Sequence, residues 1–130
     1  MVRAFPTITE EALAPLRQLI GKPVRRPQPY VEVVTRDAIR HWVHGIGDRN
    51  PLWTERGVAP PTILFATDRI VSGYVGGLPG VHAMYAGTDF RWRQPIREGD
   101  RIAGESVLFD LVEKASTFAT RAIQQIYRTT

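Results

Sequence analysis

The chain has no cysteine and only two methionines. Disulfide frameworks, thiolate nucleophiles and cysteine-ligated metals are therefore excluded. No apolar run approaches the roughly 18–20 residues that a membrane-spanning helix needs. The opening stretch Met1 to Thr7 is too polar and proline-broken for a secretory signal, so a cytoplasmic protein is expected. Lysine is nearly absent as well: Lys22 and Lys114 are the only two among 17 basic residues, and the rest are arginine. The formal net charge of +4 and a pI near 10.0 allow nucleic acid, acidic membrane or phosphate-bearing ligands as partners. Arginine's planar fork suits the last of these. The basic residues are dispersed, with small groups at Lys22, Arg25, Arg26 and at Arg91, Arg93, Arg97, Arg101. No aromatic-interleaved RNA-binding signature or helix-turn-helix spacing accompanies them, so neither nucleic acid nor membrane is expected as a partner.

What the chain does contain is a globular composition, 43% hydrophobic and 9% aromatic over 130 residues, which fits one domain. Residues 1–29 form an N-terminal helix and a connector. The helix runs from Thr9 to Ile20 behind a capping-box-like Thr7-x-x-Glu10, with Leu13, Leu16, Leu19 and Ile20 apolar and Gly21 as a stop. Pro15 marks a kink or a later start. Gly21 to Pro29, with three prolines, is extended, and Tyr30 to Val34 reads as a short strand.

Thr35 caps a second helix running to about Ile46, in which Ala38, Ile39, Trp42, Val43 and Ile46 make one apolar stripe. Gly45 and Gly47 weaken and end it, leaving Asp48 and Trp53 on a loop held at both ends. Pro60-Pro61 opens the next helix, about 60–74, apolar almost all round in its first half, as a helix buried on most sides is. Gly73 to Gly80 is a loop. Three strands follow, at Met84 to Arg93, about Arg101 to Val112 and Ser116 to Arg128, with a turn near Glu113-Lys114 between the last two. Helices followed by antiparallel strands make an α+β chain.

The stretch Gly47-Asp48-Arg49-Asn50-Pro51-Leu52-Trp53 resembles the signature loop of the MaoC-like (R)-specific enoyl-CoA hydratases, which reads Gly-Asp-x-Asn-Pro-hydrophobic-His. Gly57 to Thr62 is similar to the entry of the central helix in the amino-terminal-type MaoC domains. Arg93-Gln94-Pro95 through Gly99-Asp100 resembles their Arg-Pro…Gly-Asp connection. The resemblance covers residues 30 to 130 and implies a hotdog fold, an antiparallel sheet wrapped around the helix at about 60–74. It also implies hydration of 2-enoyl thioesters, or the reverse dehydration, without a cofactor or metal. The thioester would be carried by CoA or by acyl carrier protein.

In that family Asp and His activate water, and a backbone N–H at the start of the central helix polarises the thioester carbonyl. Asp48 matches the Asp. It stands either as an acid/base or water-orienting group, or as a loop carboxylate accepting backbone N–H bonds. Trp53 occupies the place of the His, and indole offers only a donor, so Trp53 fills space or lines the acyl path. Asn50 matches the family Asn and shapes the turn. Pro60 and Pro61 lack N–H groups, leaving Thr62 and Ile63 as carbonyl donors, with Arg91 and Arg93 beside the phosphates. His82 is the substitute base the resemblance allows; His41 and His44 read as surface residues, although His44 lies four positions before Asp48.

The missing His resembles the partner subunits of heteromeric hotdog dehydratases, in which a second chain keeps Asp and His. The expected protein is such a substrate-binding subunit, in a homo- or hetero-oligomer with another hotdog chain. The alternatives are an autonomous hydratase using Asp48 with a non-standard base, and a non-catalytic acyl-CoA-binding scaffold. Two departures from the family pattern, the short Thr54 to Arg56 spacer and a chain reaching Thr130 without a further strand, are expected to reflect either segments missing after Trp53 and after Thr130, or an oligomer in which another chain covers the free strand edge.

Overall fold

The computed structural model describes residues 8–24, 30–67, 83–115, 117–118 and 121–130. The chain is α+β and falls into two compact units, one built from the N-terminal segment and the last strands, the other from the middle of the chain.

In the first unit, helix α1 spans Glu10–Arg17. Its cap is Thr9, whose Oγ1 accepts the Ala12 N–H at 3.2 Å, so the start lies two residues later than the Thr7 pattern suggests. Pro15 is accommodated within it. The helix ends three residues before Ile20, because Leu19, Ile20 and Lys22 close tight turns onto Leu16, Arg17 and Leu19. Gly21, at φ 80°, donates its N–H to the Leu108 carbonyl at 2.8 Å, turning the chain onto a sheet. That sheet is antiparallel in the order β1 (Pro23–Val24), β2 (Ser106–Lys114), β3 (Ala122–Thr129). Between Leu108 and Asp110 the register slips, leaving Phe109 as the extra residue of a bulge. Leu13 and Leu16 bury against Leu111 and Ile123, which explains their helical spacing.

The second unit packs around Val34, Ile39, Val43, Ala59 and Ile63, with Trp42, Trp53, Ala66, Ile96 and Ile102 against them. Helix α2 is Arg36–Ile46, capped by Thr35 Oγ1 on the Ala38 N–H and closed by Gly47 in the left-handed region at φ 71°. A short helix α3 covers Pro51–Glu55. A 3₁₀ turn at Pro61–Ile63 leads into α4, Leu64–Thr67; the remainder of the helix expected to residue 74 lies outside the described residues.

Three expected strands differ. Tyr30 to Val34 forms a bridge rather than a strand: Val34 and Ile102 donate to Asp100 and Glu32, and Gly99 donates back to Val34, each at 2.8 Å. The run from Arg101 is divided, because residues to Ala103 belong to the second unit and β2 starts at Ser106 in the first. Residues 84–93 join no ladder among the described residues. Their alternation is expressed in ring stacking instead, Phe90 on Trp92 with centroids 5.1 Å apart.

Candidate functional site

The C-terminus of α2 sets the backbone of the signature segment. Gly47 N–H donates to the His44 carbonyl at 3.3 Å and Asp48 N–H to the Val43 carbonyl at 3.2 Å, the double closure that a left-handed glycine permits. Asp48 is thereby fixed to the helix end. Its Oδ1 accepts the Asn50 N–H at 3.0 Å, a local turn that short acidic side chains favour. Asn50 in turn caps α3, its Oδ1 accepting the Leu52 N–H at 3.0 Å, with Pro51 in the first helical position, where a missing N–H costs nothing.

Trp53 therefore sits on a helix, not on the loop expected for it. Its N–H bonds the Asn50 carbonyl at 3.1 Å, and its indole swings back so that Nε1 donates to Asp48 Oδ2 at 2.8 Å. Both carboxylate oxygens of Asp48 thus accept N–H groups, one from the backbone and one from the indole. The pair is half-buried, and Trp53 packs on the core.

Chemically, a carboxylate facing an indole differs from a carboxylate facing an imidazole. Indole cannot accept a proton, so within this pair only the Asp48 carboxylate could take one from water. The same carboxylate lines a cleft of about 600 Å3 together with Arg40, His41, Val43, His44 and Thr54. The two histidines read as surface residues from their spacing share that cleft with Asp48.

The other anticipated residues fall as follows. Thr62 is exposed, and its Oγ1 accepts the Trp42 indole N–H at 3.0 Å. Ile63 is fully buried, and its N–H is spent on the Pro60 carbonyl at 2.9 Å, which leaves the Thr62 N–H as the donor at this turn. Arg91 and Arg93 are exposed, and His82 lies outside the described residues. The Trp42–Thr62 link joins residues 20 positions apart, and no periodicity in the sequence announces it. Among the described residues no group of histidine and carboxylate side chains is arranged to hold a metal ion. No described helix is long and apolar enough to cross a membrane.

Comparison with known proteins adds a family. The family described as FAS1-like, dehydratase domain region, matches residues 18–128. A UPF0336 protein of Streptomyces avermitilis is 27% identical over 107 residues, which cover 71% of this chain and 70% of that protein. A UPF0336 protein of Streptomyces coelicolor is 26% identical over 107 residues with the same coverage. No solved structure matches the chain.

Proposed function

The chain belongs to the family of FAS1-like dehydratase domain regions, and on that premise we propose that it is the thioester-binding subunit of an acyl-thioester hydratase/dehydratase. In the forward direction water oxygen bonds to C3 of a 2-enoyl thioester and a proton is delivered to C2. In reverse C2 loses a proton to a base, the 3-hydroxyl takes up a proton and leaves as water, and the C2–C3 double bond forms. The observation carrying the reading is the bond from Trp53 Nε1 to Asp48 Oδ2 at 2.8 Å. The place where a proton-accepting imidazole would face the carboxylate holds a donor that stays protonated throughout. Asp48 and Asn50 then serve the fold of the turn, while Trp53 contributes apolar surface. Proton transfer falls to a second hotdog chain with an intact Asp and His, and the hotdog architecture of this chain is part of the same proposal.

The carbonyl of the bound thioester would be met by the exposed Thr62, whose N–H makes no hydrogen bond among the described residues. A donor fixed in advance at that oxygen favours the enolate-like charge of the transition state.

A second reading, an autonomous hydratase, draws on the cleft that Asp48 shares with His41 and His44. Hydration of short and long trans-2-enoyl-CoA by the purified chain separates the two. The subunit reading expects no turnover from a folded chain that binds the thioester, and turnover once a hotdog chain with Asp and His is added. Robust turnover by the chain alone would overturn it in favour of the second reading. Binding without turnover in the presence of that second chain would leave a non-catalytic acyl-CoA scaffold.

A further inference from the structure

Helix α2 and the segment that follows it form the walls of the cleft beside Asp48. Arg40, His41 and His44 share the outer face of α2, at spacings of three and four residues that make them neighbours. The left-handed Gly47 turns the chain back, so Arg49 and Thr54 line the same space of about 600 Å3. Val43, only 6% exposed, supplies its apolar floor.

Hydrogen-bonding capacity in this cleft runs one way. Two guanidinium groups, two imidazoles and a hydroxyl bring donors to it. The Asp48 carboxylate already takes the Asn50 N–H and the Trp53 indole N–H. Arg40 meets Asp37 at 3.0 Å, in an exposed pair of the kind that is worth little. The side chains of Arg49, His41 and His44 enter no hydrogen bond or ion pair among the described residues. A concave site of this size is in the range that holds a small organic molecule.

Donors around an apolar floor fit a group that only accepts, carried on a short carbon chain. An ionised carboxylate is such a group, and a guanidinium fork matches it. We propose that the cleft receives a second carboxylate at the far end of the acyl group. The substrate class is then the thioester of a short dicarboxylic acid, with Arg49 and His44 holding the free carboxylate and Val43 beneath its methylenes. The proposal rests on the acyl-thioester reading above and deepens it by naming the acyl group. A plain alkyl chain in this place would take water from the donors and return no acceptor to them.

The test is calorimetric titration of the full chain with pentanoyl-CoA and glutaryl-CoA, which differ only in the terminal carboxylate. Wild type should bind glutaryl-CoA roughly 10- to 100-fold more tightly, the effect of one charge-assisted bond. Arg49→Gln should bring the ratio of the two affinities close to one. Arg49→Lys, which keeps the charge without the fork, and His44→Phe should each lower it part of the way. Arg36→Gln removes a positive charge outside the cleft and should leave the ratio as it is in wild type. Far-UV dichroism shows which variants are folded, and the lysine and phenylalanine variants carry the test should Arg49→Gln misfold.

Equal affinity of wild type for the two thioesters would overturn the proposal and leave the thioester function standing. A preference that survives both Arg49→Gln and His44→Phe, or that falls equally in Arg36→Gln, would overturn it as well. Free glutarate and inorganic phosphate complete the titrations. Phosphate that displaces glutaryl-CoA as readily as glutarate does would refute a carboxylate site. Glutarate that binds through Arg49 in a chain that takes neither thioester would refute both the acyl assignment and the thioester reading.

Discussion

The indole N–H of Trp53 donates to Oδ2 of Asp48 across 2.8 Å, while Oδ1 of the same carboxylate takes the Asn50 backbone N–H at 3.0 Å. The residues are five apart in sequence, and their geometry decides what chemistry the turn can support. Replacing Trp53 by Phe keeps most of the apolar contact and removes the donor. The half-buried carboxylate then loses one partner, and the variant should be destabilised by about 1–3 kcal/mol, measured as the shift in urea midpoint. Trp53→His is the converse experiment. An imidazole can accept a proton from water while Asp48 orients it, so hydration of trans-2-butenoyl-CoA should rise by roughly 10²-fold or more over wild type. A Trp53→His protein that binds thioester but gains no activity would mean that more than the base is missing.

Helix α2 carries both of its terminal signals in local sequence, and each can be removed separately. Thr35→Ala deletes the acceptor for the Ala38 N–H and should cost about 1 kcal/mol. Gly47 has φ 71° and open space where a Cβ would be. Gly47→Ala should therefore cost about 1–2 kcal/mol from backbone conformation alone. Gly57 has φ 62°, and a Cβ there would meet the Glu98 side chain at 3.3 Å. Because strain and crowding add, Gly57→Ala should lower the thermal midpoint more than Gly47→Ala. Equal shifts would show that Glu98 moves aside freely.

In the first unit Arg121 gathers Glu10, Glu113 and the Ile8 carbonyl, joining β3's approach to the start of α1. Arg17 foremost, and then Arg121, hold the Glu10 carboxyl below its ordinary value of 4.5, and Glu113 followed by Glu10 raises the Arg121 guanidinium further. A carboxylate depressed in the folded state adds stability above its unfolded pKa and loses it as pH falls through the folded value. Stability should therefore decline on acidification below about pH 4.5, and Glu10→Gln should flatten that decline in urea titrations at successive pH values. An unchanged acid slope in Glu10→Gln would assign the loss to other carboxylates. Arg121 titrates far above the working range and contributes no slope there.

The bond from Trp42 Nε1 to Thr62 Oγ1 at 3.0 Å ties α2 to the turn that opens α4. Trp42→Phe and Thr62→Val each remove one partner. A double-mutant cycle should return a coupling of about 0.5–1.5 kcal/mol, the net worth of such a bond. Additive effects would mean that water replaces the missing partner without loss. If Thr62 also meets the thioester carbonyl, Thr62→Val should leave its backbone N–H in place and change thioester affinity less than stability.

What could be read from the chain in advance is what its short-range chemistry contains. Thr35 before an apolar stripe, Gly47 after it, and the Gly-Asp-x-Asn-Pro turn are interactions spanning five residues or fewer, so residue types at fixed spacing suffice to announce them. The α+β character followed for the same reason, since the long runs at 106–114 and 122–129 carry strand-forming residues. The helix under Trp53 also has a local signal, since Asn50 as a cap with Pro51 behind it starts a helix. Tertiary structure alone decided the rest. Val34 pairs with Gly99 and Asp100, Trp42 finds Thr62, and Phe90 meets Phe65 across 25 positions. Such contacts depend on which surfaces the folded backbone brings together. Periodicity reports only that a face is apolar, and it is silent on what that face will touch.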